Sequence, residues 1–155
     1  MTDNSSSIVI GSDHGAFQLK EKVKAFLGER GLVVEDFGVP SEAPVDYADI
    51  GVKVAGAVSA GTYGRGILMC GTGLGMSMIA NRFPRVRAAL CNDLFSVIMS
   101  RQHNDANILV IGGRVTGDVL AFEMVKVWLE TPFDGGRHQA RIDKLDGVDI
   151  GKFWG

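Results

Sequence analysis

The sequence predicts a single α/β domain: a doubly wound, five-stranded parallel sheet followed by a C-terminal helical tail. Three observations carry this. Short continuous apolar runs recur between longer segments whose apolar residues fall at helical spacing. The two kinds of segment alternate five times along the chain. The 21 glycines fall mostly where one element gives way to the next.

The first strand is expected at residues 8–10 and stops at GSDHG, 11–15. From 16 to 30, Leu19, Val23, Phe26 and Leu27 recur at helical spacing, and Gly31 closes the helix. Residues 32–37 read as a second strand with β-branched residues. A loop containing Pro40 and Pro44 leads to Asp46, after which Tyr47, Ile50, Val54, Ala57 and Val58 mark one face of a helix ended by Gly61. The central stretch, 66–82, reads GILMCGTGLGMSMIANR. It supplies a third strand ending in Cys70, the tripeptide Gly71-Thr72-Gly73, and a helix carrying Met76, Ile79 and Ala80. A fourth strand at 86–90, a helix at 94–101 and a fifth strand at 108–111 follow. The last long helix, 119–129, places Leu120, Met124, Val127 and Trp128 on one side. The arrangement is Rossmann-like, without internal repeat or linker. Residues 1–7 are expected to be a disordered lead-in, 8–155 one domain, and 132–155 a tail at a subunit interface.

Composition narrows the function. The formal net charge is −2 with no basic block, which argues against nucleic acid or another polyanion as partner. No apolar run approaches membrane-span length, and MTDNSSS lacks the features of a signal peptide. Cys70 and Cys91 are the only cysteines and match no zinc or disulfide framework, so a cytoplasmic location is expected.

Ligands of open parallel sheets bind outside the C-terminal edge of the strands. There, strand one offers Asp13 and His14, strand three Cys70 and the glycine loop, and strand five Gly112, Gly113 and Arg114. A tight loop before a helix presents backbone N–H groups to one spot, suited to a phosphate or to an oxygen gaining charge. Taken alone, a cysteine after three apolar residues is a small core residue, and an Asp-His pair is a cap beside a surface residue. Their convergence on one edge, and the placing of all three histidines beside polar clusters, points to a site. In the tail, Arg137 and Arg141 stand four apart behind two glycines and share a helical face, which reads as an anion clamp.

His103 follows the fourth helix and precedes the fifth strand, which puts it at the N-terminal edge of the sheet, opposite Cys70. A five-residue strand spans roughly 17 Å. If both residues serve one site, His103 comes from a second subunit, and a homodimer with shared sites is expected.

Six ordered motifs are GSDHG at 11–15, DYA at 46–48, CGTGLG at 70–75, SRQHNDAN at 100–107, GGR at 112–114 and GGRHQAR at 135–141. Through them the chain resembles the ribose-5-phosphate isomerase B family, related to the galactose-6-phosphate isomerase subunits, over about 8–141. The resemblance implies an aldose–ketose isomerase that interconverts ribose 5-phosphate and ribulose 5-phosphate through a cis-enediolate. By the same resemblance Cys70 is the thiolate base, and the backbone of Gly71, Gly73, Leu74 and Gly75, with Thr72, holds the enediolate oxygens. His103 assists ring opening with Asp13 as its helper. His14, Arg114, Arg137 and Arg141 bind the phosphate, and Asn104 contacts the sugar. Tyr47 lies in a motif but receives no role. A glutamate serves as base in another branch of the family; its place is taken here by Met76, which cannot accept a proton from carbon, so the chain falls in the cysteine branch. Dimers or tetramers are implied, with no cofactor and no metal.

Proton transfer at carbon needs a base, donors for an oxygen gaining charge, and a grip on the phosphate, and the named residues supply all three. Competing readings are a nucleotide-binding or oxidoreductase domain using 71–75 with Asp93 as a ribose acid, a metal-dependent isomerase with Asp13, His14 and others as ligands, and a catalytically inactive sugar-phosphate sensor. The nucleotide loop lacks the full glycine spacing and follows the third strand instead of the first. Erythrose, allose and galactose phosphates stand beside ribose 5-phosphate as substrates.

Overall fold

The computed structural model describes residues 7–153. The lead-in expected at 1–7 lies outside the described residues except for Ser7, which already opens the first strand. In chain order the strands are β1 (Ser7–Ser12), β2 (Val33–Asp36), β3 (Arg65–Cys70), β4 (Ala88–Leu90) and β5 (Ile108–Gly112). The helices are α1 (Phe17–Glu29), α2 (Tyr47–Ser59), α3 (Leu74–Ala80), α4 (Leu94–Gln102), α5 (Asp118–Glu130) and α6 (Arg137–Asp146). A 3-10 turn, His14–Ala16, links β1 to α1, and another, Ile150–Phe153, closes the described chain.

All strand pairs are parallel and the order is β2-β1-β3-β5-β4. The period-two alternation of each central strand sends its side chains into two separate cores. Ile8, Ile10, Ile67, Met69, Leu109 and Ile111 face α1, α4 and α5, joining Val23, Met124 and Trp128. Val9, Leu68, Cys70, Ile108 and Val110 face α2 and α3, joining Ile50, Val54 and Met76. The sheet is therefore covered on both faces, the condition under which strands read as unbroken apolar runs. Cys70 belongs to the α2/α3 side.

The structure moves several boundaries. β2 and β4 are shorter than the apolar runs at 32–37 and 86–90, because both are edge strands paired on one side only. β3 starts at Arg65, where Gly66 pairs with Ile108. The tail folds as α6, entered through Gly135 and Gly136 at φ 64° and 56°. Among the described residues no helix is long and apolar enough to cross a membrane.

The strand order decides where loops meet. From β1 the chain first goes outward to β2 and then returns to the other side of β1 as β3. The β1–β3 junction is thus a switch point, with a crevice at its C-terminal end. Ser12 pairs with Met69 and Cys70 with Gly112, so the loops after β1, β3 and β5 adjoin.

Candidate active site

Cys70 ends β3, is 6% exposed, and its Sγ accepts a hydrogen bond from the Gly73 N–H at 3.1 Å. That contact requires Gly73 to turn the chain in the left-handed region (φ 81°), where a side chain would also meet Leu90 at 2.5 Å. The carbonyls on either side are tied down: Cys70 O accepts from Gly113 N–H at 2.8 Å and Gly71 O from Arg114 N–H at 2.9 Å. The guanidinium of Arg114 consequently lies along Gly71, its Nη1 3.5 Å from where a Cβ on that glycine would stand.

Two of the loop's N–H groups are taken within the loop itself. Gly73 donates to the sulfur and Leu74 to Thr72 Oγ1 at 3.3 Å. The N–H groups of Gly71, Thr72 and Gly75 donate to nothing among the described residues and are the ones open to an oxygen of a ligand. Tyr47 stacks over Gly75 so closely that a Cβ there would lie 2.5 Å from its ring, which gives the DYA tyrosine a structural place beside the loop.

The β1 loop packs on this one. Asp13 is 8% exposed, its N–H donates to Met69 O at 3.3 Å and its carboxylate caps Gly15 N–H at 2.9 Å. His14 Nδ1 accepts from Val45 N–H at 3.2 Å, so in the neutral ring the proton sits on Nε2. Behind them the fully buried Lys20 pairs with Asp36 and donates to Val39 O at 3.1 Å, anchoring the 37–46 loop. Burial would raise the Asp36 carboxyl, but Lys20, Lys24 and the Gly38 N–H together hold it below the ordinary aspartate value.

The remaining candidates lie at the other edge. His103 is the C-cap of α4, and its ring is stacked on that of His138 with centroids 4.2 Å apart and planes 11° from parallel. α6 is docked there at both ends: Asp134 N–H donates to Gln102 O at 3.1 Å, and Asp146 pairs with Arg87 at 3.0 Å. Arg137 and Arg141 occupy this helix, and Asn104 the loop beside it. A strand of six residues, roughly 20 Å, separates this edge from Cys70. The chain by itself therefore brings Asp13, His14, Cys70, the 71–75 loop and Arg114 together, and separately His103, Asn104, Arg137 and Arg141. Asp13 and His103 do not meet within one chain.

The far-edge loop is held by charges that motif reading passes over. Arg101, 6% exposed, donates to Asp105 Oδ1 at 2.8 Å and to Ala106 O at 2.7 Å. Arg87 reaches Asp105 Oδ2 at 3.3 Å and the carbonyls of Asn104 and Asp105, each at 3.1 Å. Asp105 itself sits at φ 45°. The four-residue spacing of Arg101 and Asp105 was the available signal. In contrast, Arg82, Arg114, Arg137 and Arg141 have no side-chain hydrogen bond or ion pair among the described residues, which leaves them free for an anion.

The rival readings find less support. Asp93 caps α4 through Ser96 N–H at 2.7 Å, and this bond holds its carboxyl below the usual value. His103, Asp134 and His138 bring three possible metal-ligand atoms within 4.8 Å of one another. The two imidazole rings are stacked, so their in-plane lone pairs run side by side instead of converging on one ion, and Arg137 and Arg141 add positive charge.

A family model described as Ribose/Galactose Isomerase matches residues 8–145. The chain is 44% identical over 142 residues to the ribose-5-phosphate isomerase B of Escherichia coli (strain K12), covering 92% of this chain and 95% of that protein. It is 38% identical over 141 residues to the D-erythrulose-4-phosphate isomerase of Pectobacterium atrosepticum, covering 90% and 92%. The crystal structure of a ribose 5-phosphate isomerase from Thermotoga maritima superposes with a TM-score of 0.90 at 52% identity, covering 92% of this chain and 99% of that one.

Proposed function

The chain belongs to the ribose/galactose isomerase family and is a sugar-phosphate isomerase, and we propose that it interconverts ribose 5-phosphate and ribulose 5-phosphate with Cys70 as the base. The observation that carries this reading is the Cys70 sulfur at the switch-point crevice, facing the Gly73 N–H, with three unused backbone donors in the loop that follows it.

In the proposed step the thiolate removes the proton on C2 of the open-chain aldose, and electrons move into C1–C2 to give a cis-enediolate. Return of that proton to C1 and movement of a hydroxyl proton between O1 and O2 complete the ketose, with no net redox change. The free N–H groups of Gly71, Thr72 and Gly75 meet the oxygens as they gain charge, without reorganisation. His14, with its Nε2 proton, and Arg114 grip the phosphate from the same chain.

His103, Asn104, Arg137 and Arg141 reach this crevice from a second copy of the chain, where His103 passes a proton to the ring oxygen during opening. Exposed apolar residues beside the crevice support such a partner: Tyr47 is 42% exposed, Leu74 52%, Met78 67% and, on the same edge, Phe95 71%. The Pectobacterium relative, named for a four-carbon sugar phosphate, makes erythrose 4-phosphate the first alternative substrate.

One experiment tests both the chemistry and the shared site. Cys70→Ala and His103→Asn are unfolded, mixed and refolded together, and ketose formation from ribose 5-phosphate is followed with EDTA present. Half of the dimers are then mixed, each with one intact site, so about a quarter of wild-type activity returns. Activity no greater than the sum of the separate variants means that the sites are not shared. Lack of turnover by the wild type itself would exclude ribose 5-phosphate.

A further inference from the structure

His138 has no part in the mechanism above, yet it is only 6% exposed and lies ring to ring against His103 at 4.2 Å. Its place is set by α6: it is the second residue of the helix, follows Arg137, and has Arg141 on the next turn. Its backbone N–H donates to Gly135 O at 3.0 Å, which ties its backbone to the helix start, and its burial against the His103 ring restricts the side chain. We infer that His138 is a positioning residue that carries the His103 ring and, through α6, links a phosphate held by Arg137 and Arg141 to the proton that His103 delivers. This rests on the reading of His103 as the ring-opening acid and of the two arginines as the phosphate clamp.

The physical argument is one of charge and packing. Burial, followed by the charges of His103, Arg137 and Arg141, holds His138 below the ordinary histidine range, while Asp134 pulls the other way. At neutral pH His138 is thus an uncharged shelf, and face-to-face packing fixes the plane of His103. The positive charges of Arg137 and Arg141 disfavour a proton on His138. A phosphate dianion on the arginines cancels that field, so the pair takes up a proton more readily once the substrate's phosphate is seated. The proton donor is then charged at the moment when a ring oxygen is present to receive it.

The test uses the full chain, whose three histidines make a simple histidine spectrum. Carbon-labelled histidine resonances, assigned with His14→Gln and His103→Gln, are titrated with pH, with and without inorganic phosphate. The expected result is that the midpoints of His103 and His138 move upward together on adding phosphate, by about half a unit or more. Unmoved midpoints overturn the link between clamp and acid, and this measurement needs no variant of His138 to fold. In kinetics, His138→Asn is expected to lower kcat for ribose 5-phosphate about tenfold, with KM within about twofold and a displaced acid limb of the pH profile. His138→Phe keeps a flat ring and restores most of kcat. A His138→Asn enzyme with wild-type kcat and an unshifted His103 resonance, or a Phe variant no better than Asn, overturns the shelf. A wild type that isomerises no aldose phosphate overturns the reading of His103 instead, while the phosphate titration still decides the coupling.

Discussion

The two edges of the sheet carry groups built in opposite ways. At the C-terminal edge the candidate chemistry leans on backbone: a sulfur at a strand end, a loop folded against it, and N–H groups set by the Cys70–Gly112 register, with Asp13, His14 and Arg114 beside them. At the N-terminal edge it is all side chain, a stacked histidine pair and free arginines on a helix pinned by Arg101, Asp105, Arg87 and Asp146. Backbone placed by a central sheet needs little further support, whereas long side chains at an edge need other charges to hold them. The first region should therefore fail through chemistry and close packing, the second through positioning.

The largest effect is expected at Cys70. Cys70→Ala should lower kcat about 10³-fold, with binding of a non-reacting sugar phosphate within about twofold by calorimetry. Intact turnover would remove the backbone edge from the chemistry. Next is Asp105, the centre of the other region: Asp105→Ala should cost about 3 kcal/mol by denaturant unfolding, since the buried Arg101 loses its carboxylate. Asp105→Asn tolerates the φ of 45° and should cost less, which separates charge from backbone strain. Gly75→Ala would place a Cβ 2.5 Å from the Tyr47 ring and should cost about 1–3 kcal/mol. Most of that loss should disappear in a Tyr47→Ala background; if it persists, the clash is not its cause. Arg137→Ala should raise KM about tenfold with kcat within about threefold, measured in steady state.

The smallest effect concerns acid. Asp36 has a lowered pKa in the fold, so its contribution is complete above its unfolded value near pH 4 and is lost as pH falls through the folded value. Below roughly pH 4 the wild type should lose thermal stability more steeply than Asp36→Asn. Equal slopes would show that the Lys20–Asp36 anchor under the 37–46 loop does not support the backbone edge.

Much of this division was legible in the letters. The helical spacing of Leu19, Val23 and Leu27 and the run Ile67-Leu68-Met69 belong to single segments, so periodicity located them. The placing of His103 at the far edge followed from its position between a helix and the next strand. His138 was legible only as part of a motif, because nothing in the sequence says that its ring turns inward onto His103. Asp105 was half hidden: its spacing from Arg101 was visible, but its second partner, Arg87, is eighteen residues away and brought close only by β4. The Thr72 hydroxyl that takes the Leu74 N–H, making one expected donor unavailable, is a matter of rotamer and loop geometry.

By itself the sequence determined the elements, their inward faces and the chemical types available at each strand end, because these depend on neighbours a few residues apart. Only the tertiary structure decided which ends meet. The insertion of β5 between β3 and β4 sets Gly112 beside Cys70 and draws Arg114 along Gly71. The docking of α6 across the end of α4 carries Arg137 and Arg141 away from that loop, to the edge where His103 lies. Such proximity arises from strand order and packing between segments far apart in the chain, and local periodicity carries no information about either.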